Sequence, residues 1–194
     1  MKLFVCTPFT QLFTISVFIR SGEGDNTKQV PLVYVFMLGT TRADYCADFT
    51  ALLDQLPDPS AVVSITADFE VGMWQAAQQV LQGITINGCI FHHTQVIWRK
   101  IQSLSLQEDH NRRAATFCRC LMALAFLPAN YIFAQFEAIC CTNPAGKFVE
   151  LLDYFQPQWL NNTAVAVWSV FGRPIKKNND IKGWHRCINS QAYS

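Results

Sequence analysis

The sequence predicts an α/β fold, with a mixed sheet and flanking helices leading into an all-helical stretch. Three observations carry this. Residues 9–20 and 29–38 are apolar, β-branched and aromatic, and the turn formers Ser21-Gly22-Glu23-Gly24-Asp25-Asn26 separate them, the pattern of a β-hairpin. Short β-branched runs then alternate with helical periodicity up to about residue 104, which implies parallel strands joined by crossover helices. From about Asn111 the apolar spacing is helical almost throughout.

Each element follows from its residues. After the hairpin, Tyr45, Phe49, Leu52, Leu53 and Leu56 recur at helical spacing over residues 43–56, and Pro57 and Pro59 stop that helix. Residues 61–66 (Ala-Val-Val-Ser-Ile-Thr) read as a buried strand, with Asp68 just past its end. A helix over residues 70–81 is predicted to present Phe69, Met73, Ala76, Ala77 and Val80 on one face. A strand over 85–91 and a helix over 93–104 follow. The helical stretch is marked by Phe117, Leu121, Leu124 and Leu127 up to Pro128, then Phe133 and Phe136, then Phe148, Leu151, Leu152 and Phe155. Residues 168–179 read as a basic loop and 180–188 as a short helix.

Composition bounds the function classes. The chain has 194 residues, is 51% hydrophobic and only 15% charged, which excludes a disordered polyelectrolyte. The net charge of +1 hides a polarity: residues 1–97 hold 4 basic and 8 acidic side chains, and residues 98–194 hold 11 and 6. A polyanion would therefore be met by the second half. Pro8, Thr10, Gln11, Thr14 and Ser16 interrupt the apolar start, so neither a signal peptide nor a membrane span is expected, and the prior is intracellular. The eight cysteines are irregularly spaced with no Cys-x-x-Cys, which reads as reduced thiols.

Asp68 is the leading candidate for chemistry. A carboxylate directly after a strand lies at the sheet edge where open α/β sheets place ligands, and one or two carboxylates can hold a hard divalent cation there. Glu70 is an accessory candidate. The competing assignment makes Asp68 the N-cap of the next helix, with Glu70 in its first turn. Cys89-Ile90-Phe91-His92-His93 offers a zinc half-site or a Cys-His nucleophile; alternatively, a ring nitrogen is hydrogen-bonded near the strand end. Trp98-Arg99-Lys100, Arg112-Arg113, Arg173, Lys176-Lys177, Lys182 and Arg186 supply cations, some beside aromatics, that suit phosphate and base contacts or solvated helix faces equally.

Taken in order, Phe9-Thr10-Gln11-Leu12-Phe13-Thr14-Ile15, Val30 to Met37, Thr66-Ala67-Asp68-Phe69-Glu70, Gly88 to Gln95, Leu124-Ala125-Phe126-Leu127-Pro128, Trp168 to Arg173 and Asn178 to His185 form a series. On these blocks, which span nearly the whole chain, it resembles the MULE (Mutator-like element) transposase domain family. The resemblance implies an RNase H-like fold: a core over residues 1–110, a helical insertion over 111–160, and a return to the core over 161–194. It also implies three carboxylates holding two Mg²⁺ or Mn²⁺ ions for cleavage and joining of DNA, with nuclear action. Two metals of this kind stabilise the attacking and leaving oxygens of an in-line displacement.

Residue by residue, the family's second carboxylate corresponds to Asp68, and Cys89-x-x-His92 corresponds to its Cys-x2-His motif. Two departures stand out. The family's first Asp belongs to an Asp-Gly-Thr-Phe strand, and no Asp precedes Asp25 here, so the first strand is expected to be missing. The family's last carboxylate corresponds to Lys182, whose cation would repel a second metal. The expected function is thus a transposase-derived domain of the Mutator-like type, catalytically inactive or fragmentary. The alternative is a retired core that binds DNA or protein through Arg112, Arg113, Arg173, Lys176 and Lys177. No membrane and no small-molecule cofactor is expected.

Overall fold

The computed structural model describes residues 7–20, 27–56, 62–106, 112–142 and 145–173. The predicted short helix at 180–188, with Lys182, and the basic pair Lys176-Lys177 lie outside them. The described residues fall into two compact units: those within 7–65 together with 70–85, and those within 66–69 together with 86–173.

In the first unit, β1 (Gln11–Arg20) and β2 (Thr27–Met37) form the predicted antiparallel hairpin. Gln11 pairs with Met37 and Ile15 with Val33, and a bulge then shifts Ser16 onto Pro31. That irregularity suits Pro31, which has no N–H to give to a ladder. The alternation of β2 is plain: Leu32, Tyr34 and Phe36 are exposed, whereas Val33 and Val35 are half-buried and Met37 is buried. On the inner face Phe13 sets its ring against Tyr45 and Phe49 of α1 (Arg42–Leu53), at centroid distances of 5.2 and 6.0 Å. Gln11 Nε2 donates to the Tyr45 hydroxyl at 2.6 Å.

The start of α1 is fixed by a capping box. Thr41 Oγ1 accepts from the Asp44 N–H, and the Asp44 carboxylate accepts from the Thr41 N–H at 2.8 Å. The Thr41 N–H and then the Thr41 hydroxyl, both donating to the carboxylate, hold the Asp44 carboxyl below its usual range. Against α1 packs α2 (Val71–Val80), burying Met73, Ala76 and Ala77. The two approach closely at Gly72, where an added Cβ would stand 3.0 Å from the Thr40 carbonyl oxygen.

The strand β3 (Ser64–Ala67) pairs with β4 (Thr85–Gly88). The Thr85 N–H donates to the Val63 carbonyl and the Cys89 N–H to that of Ala67, so residue numbers rise together and the pair is parallel. The strand–helix–strand crossover expected from the sequence is therefore present. Two expectations change. The strand before Asp68 is half-buried rather than buried, with Val63 exposed. The single mixed sheet is, among the described residues, two separate two-stranded sheets.

In the second unit α3 (Ile90–Ser103) starts three residues earlier than its apolar spacing suggests, and β4 ends at Gly88 instead of running to Phe91. Gly88, at that junction, is tightly packed. A Cβ there would lie 2.4 Å from Phe69 Cζ and 3.3 Å from the Val167 carbonyl oxygen. With Cys89 at the cap position, Ile90, His93, Ile97 and Ile101 fall on one buried stripe.

The helical stretch continues with α4 (Arg112–Ala123), a 3-10 turn at Leu124–Phe126, α5 (Ala129–Cys140), α6 (Lys147–Phe155) and the short α7 (Val165–Trp168). Between α6 and α7 the backbone widens into a π-helical turn, Gln156–Asn161, in which the Asn162 N–H reaches back to the Pro157 carbonyl. Pro157 has no N–H with which to continue the α ladder, which explains why regular helix stops at Phe155. All these elements share one core with α3, built on Leu121, Leu124, Ile132, Phe136, Leu151, Phe155, Trp159, Trp168 and Val170. Ser169 Oγ donates to the Leu127 carbonyl at 2.6 Å, and the Val170 N–H donates to that of Ala125 at 2.7 Å, fastening the segment after α7 to the 3-10 turn.

Candidate functional site

Asp68 follows β3 directly and is exposed, in an irregular stretch before α2. It does not cap that helix. The N-cap is Glu70, whose side chain makes no capping bond, and Glu70 stands before the helix rather than in its first turn. Among the described residues no three Asp, Glu, His or Cys side chains are gathered closely enough to hold a metal ion. Asp68 is therefore not part of such a group among the described residues.

The Cys89-x-x-His92 pair falls on the cap and first turn of α3. Cys89 is fully buried, and the half-buried His92 has its ring edge-on to Phe91, with Nδ1 buried and unpartnered. No disulfide joins the six described cysteines, in line with the reduced thiols read from their spacing. Burial pushes the Cys118 and Cys140 thiols up, and Cys140 is pushed further by Cys141 and Glu137, away from the thiolate that reactivity needs.

The basic candidates separate. Arg112 and Arg113 open α4. Arg173 is turned back on the protein: its Nη2 donates to the carbonyl oxygens of Ala166 and, at 3.1 Å, Val167 at the end of α7. Those carbonyls are ones a short helix leaves unpaired, and a cation there also meets the negative end of the helix dipole. Partial burial lowers the Arg173 guanidinium from its ordinary value. This Arg is thereby committed to structure to a degree that sequence spacing does not reveal.

The feature that sequence reasoning missed is an aromatic box around His93. The imidazole is wholly buried and stacks on Trp168 at 4.7 Å and 12°. Trp159 stands edge-on at 4.4 Å, with Phe69 and Phe155 farther out at 6.3 and 6.4 Å. Trp168 is itself anchored, its indole N–H donating to the Trp159 carbonyl at 2.8 Å. Neither ring nitrogen of His93 has a hydrogen-bond partner, so the expectation of a ring nitrogen bonded near the strand end fails for this residue. Burial alone pushes its pKa down to about 3, leaving the ring neutral under ordinary conditions. Phe69, assigned from the sequence to the buried face of α2, packs instead on Trp159 at 4.8 Å.

Neither the known family models nor curated proteins nor solved structures gave a match to this chain. Among the described residues no helix is long and apolar enough to cross a membrane.

Proposed function

We propose that the chain is a transposase-derived domain of the Mutator-like type, with an RNase H-like ancestry, that no longer cleaves DNA and acts as a nucleic-acid-binding remnant. The observation that carries this reading is the ordered series of blocks from Phe9-Thr10-Gln11-Leu12 to Trp184-His185. Two structural facts support it: a parallel β3–α2–β4 crossover with a carboxylate directly after β3, and a helical run from Arg112 onward. The loss of cleavage rests on Lys182 at the position of the family's last carboxylate. Binding rests on charge: α3 carries Arg99 and Lys100, and α4 carries Arg112, Arg113 and Arg119, with no carboxylate on either helix.

The test is a pair of assays on the full chain. With end-labelled duplex DNA and Mg²⁺ or Mn²⁺, no cleavage is expected. Metal-dependent nicking abolished by Asp68→Ala would overturn the inactive reading. In the second assay DNA affinity should fall by orders of magnitude between low and physiological salt, the mark of counterion release. Charge reversal at Arg112, Arg113, Lys176 and Lys177 should abolish it. Absence of binding at low salt removes the nucleic-acid role.

A further inference from the structure

Two cysteines stand side by side where α5 ends. Cys140 is the last residue of the helix, half-buried against the helical core, and Cys141 is the cap residue and exposed. The backbone holds the pair in place. Cys141 keeps right-handed helical angles, φ −66° and ψ −9°, and its N–H donates to the Glu137 carbonyl at 2.9 Å. Beside it, the Thr142 N–H and hydroxyl both donate to the Ile139 carbonyl, at 3.1 and 2.7 Å. No other two of the described cysteines share this arrangement. Cys118 and Cys120 are two residues apart on α4, which turns them about 200° from each other. Accordingly Cys118 is buried and Cys120 exposed. Cys89 is buried at the cap of α3, and Cys46 is the one cysteine of α1.

Geometry and charge select what the pair can hold. Successive Cα atoms lie about 3.8 Å apart, shorter than the roughly 4.4–6.8 Å that a disulfide spans, so a direct sulfur–sulfur bond needs the linking peptide bent. A single bridging atom lengthens the link and leaves the helix as it is. The two sulfurs are soft donors, and among the described residues no group of three Asp, Glu, His or Cys includes them. The site therefore suits a soft centre that is satisfied by two sulfurs. Its surroundings are negative: α5 presents its carbonyl end there, Glu137 lies one turn back, and the last turn has no basic residue. Burial, and then Cys141 and Glu137, keep the Cys140 thiol in its protonated form. A cuprous ion takes two thiolates and leaves a net negative charge beside Glu137. A monosubstituted trivalent arsenical leaves none. In that step R–As=O and two thiols give R–As(S–Cys)₂ and water: two arsenic–sulfur bonds form, the arsenic–oxygen bond breaks, and both thiol protons depart on the oxygen. Arsenic stays trivalent, so nothing is oxidised or reduced.

We propose that Cys140 and Cys141 form a dithiol clasp for a monosubstituted trivalent arsenical, closed by two arsenic–sulfur bonds at the C-terminal end of α5. The clasp depends neither on a transposase origin nor on nucleic-acid binding.

The probe is phenylarsine oxide, added in equimolar amount to the reduced full chain and followed by intact-mass spectrometry. The chain should gain one phenylarsenic group and lose two hydrogens. Because the second thiol reacts intramolecularly, this adduct should withstand about 100-fold more 2-mercaptoethanol than a one-thiol adduct, whereas 2,3-dimercaptopropanol should strip it. Cys140→Ser and Cys141→Ser should each reduce retention to the one-thiol level. Cys141 is exposed, so Cys141→Ser spares the core and its loss of retention reports on the clasp directly. Cys120→Ser should leave retention unchanged, as should Cys6→Ser and Cys187→Ser, at the two cysteines outside the described residues. Circular dichroism of the adduct should match that of the free chain, because the bridge leaves α5 helical. The proposal is overturned if no adduct survives excess monothiol, or if Cys141→Ser retains it. It also falls if Cys120→Ser, Cys6→Ser or Cys187→Ser removes the adduct, or if arsenical binding lowers the helix content.

Discussion

Replacing His93 by phenylalanine should flatten the acid side of the stability profile. In the folded protein burial holds the imidazole at about 3, against 6.5 for the free side chain, so the unfolded chain binds the extra proton first. A lowered folded pKa gives stability that is complete above the unfolded value and declines as pH falls from 6.5 toward 3. Between about pH 7 and about pH 5 this single group should remove about 2 kcal/mol, and about 5 kcal/mol once both states are protonated. Urea unfolding of the full chain at several pH values measures it, and Trp159 and Trp168, which line the box, supply the fluorescence signal. Other groups contribute to the slope, so the comparison is between His93 and His93→Phe, with His93→Leu as a second variant should the larger ring not fit. Equal slopes for wild type and both variants over that window would refute the reasoning, because the imidazole would then titrate alike folded and unfolded.

Gly88→Ala should destabilise by about 1–3 kcal/mol, because the new methyl displaces the Phe69 ring edge from its place against Trp159; chemical denaturation checks this. Gly146, at the cap of α6, has φ 59° and ψ −129°, a region nearly reserved for glycine, so Gly146→Ala should cost about 1–3 kcal/mol in the same assay. Arg173→Ala should lower stability by about 1–2 kcal/mol through the carbonyls of Ala166 and Val167 that it leaves unpaired. Its effect on the salt dependence of DNA binding should be smaller than that of reversing Arg112 and Arg113. Addition of Mg²⁺ or of a chelator should leave the melting temperature unchanged, whereas a rise with Mg²⁺ reversed by Asp68→Ala would reveal a metal site.

Local pattern made most elements legible. The turn formers at 21–26 mark the hairpin, and the spacing of Tyr45 and Phe49 and of Met73, Ala76 and Ala77 gives the buried faces of α1 and α2, because side-chain period reports which face of an element meets the core; the end of α1 at Leu53, short of the expected 56, was not readable this way. Boundaries set by fit were not legible. Phe69 and Val167, distant in sequence, crowd Gly88 at the junction of β4 and α3, and the π-helical turn depends on where Pro157 falls relative to the end of α6. Of the candidate site, the position of Asp68 after a strand was readable, but its exposure and the cap at Glu70 were not.

The sequence by itself determined the order of the elements, the parallel crossover, the acidic first half against the basic second half, and the chemistry available at each position. Only the tertiary structure decided what surrounds each group. It encloses His93 between Trp168, Trp159, Phe155 and Phe69, turns Arg173 onto the end of α7, and leaves Phe91, Trp98 and Met122 along an open groove. The reason is physical: periodicity is a property of neighbours along the chain, whereas desolvation, and with it a shifted pKa or an unfilled apolar surface, depends on residues brought together from distant segments.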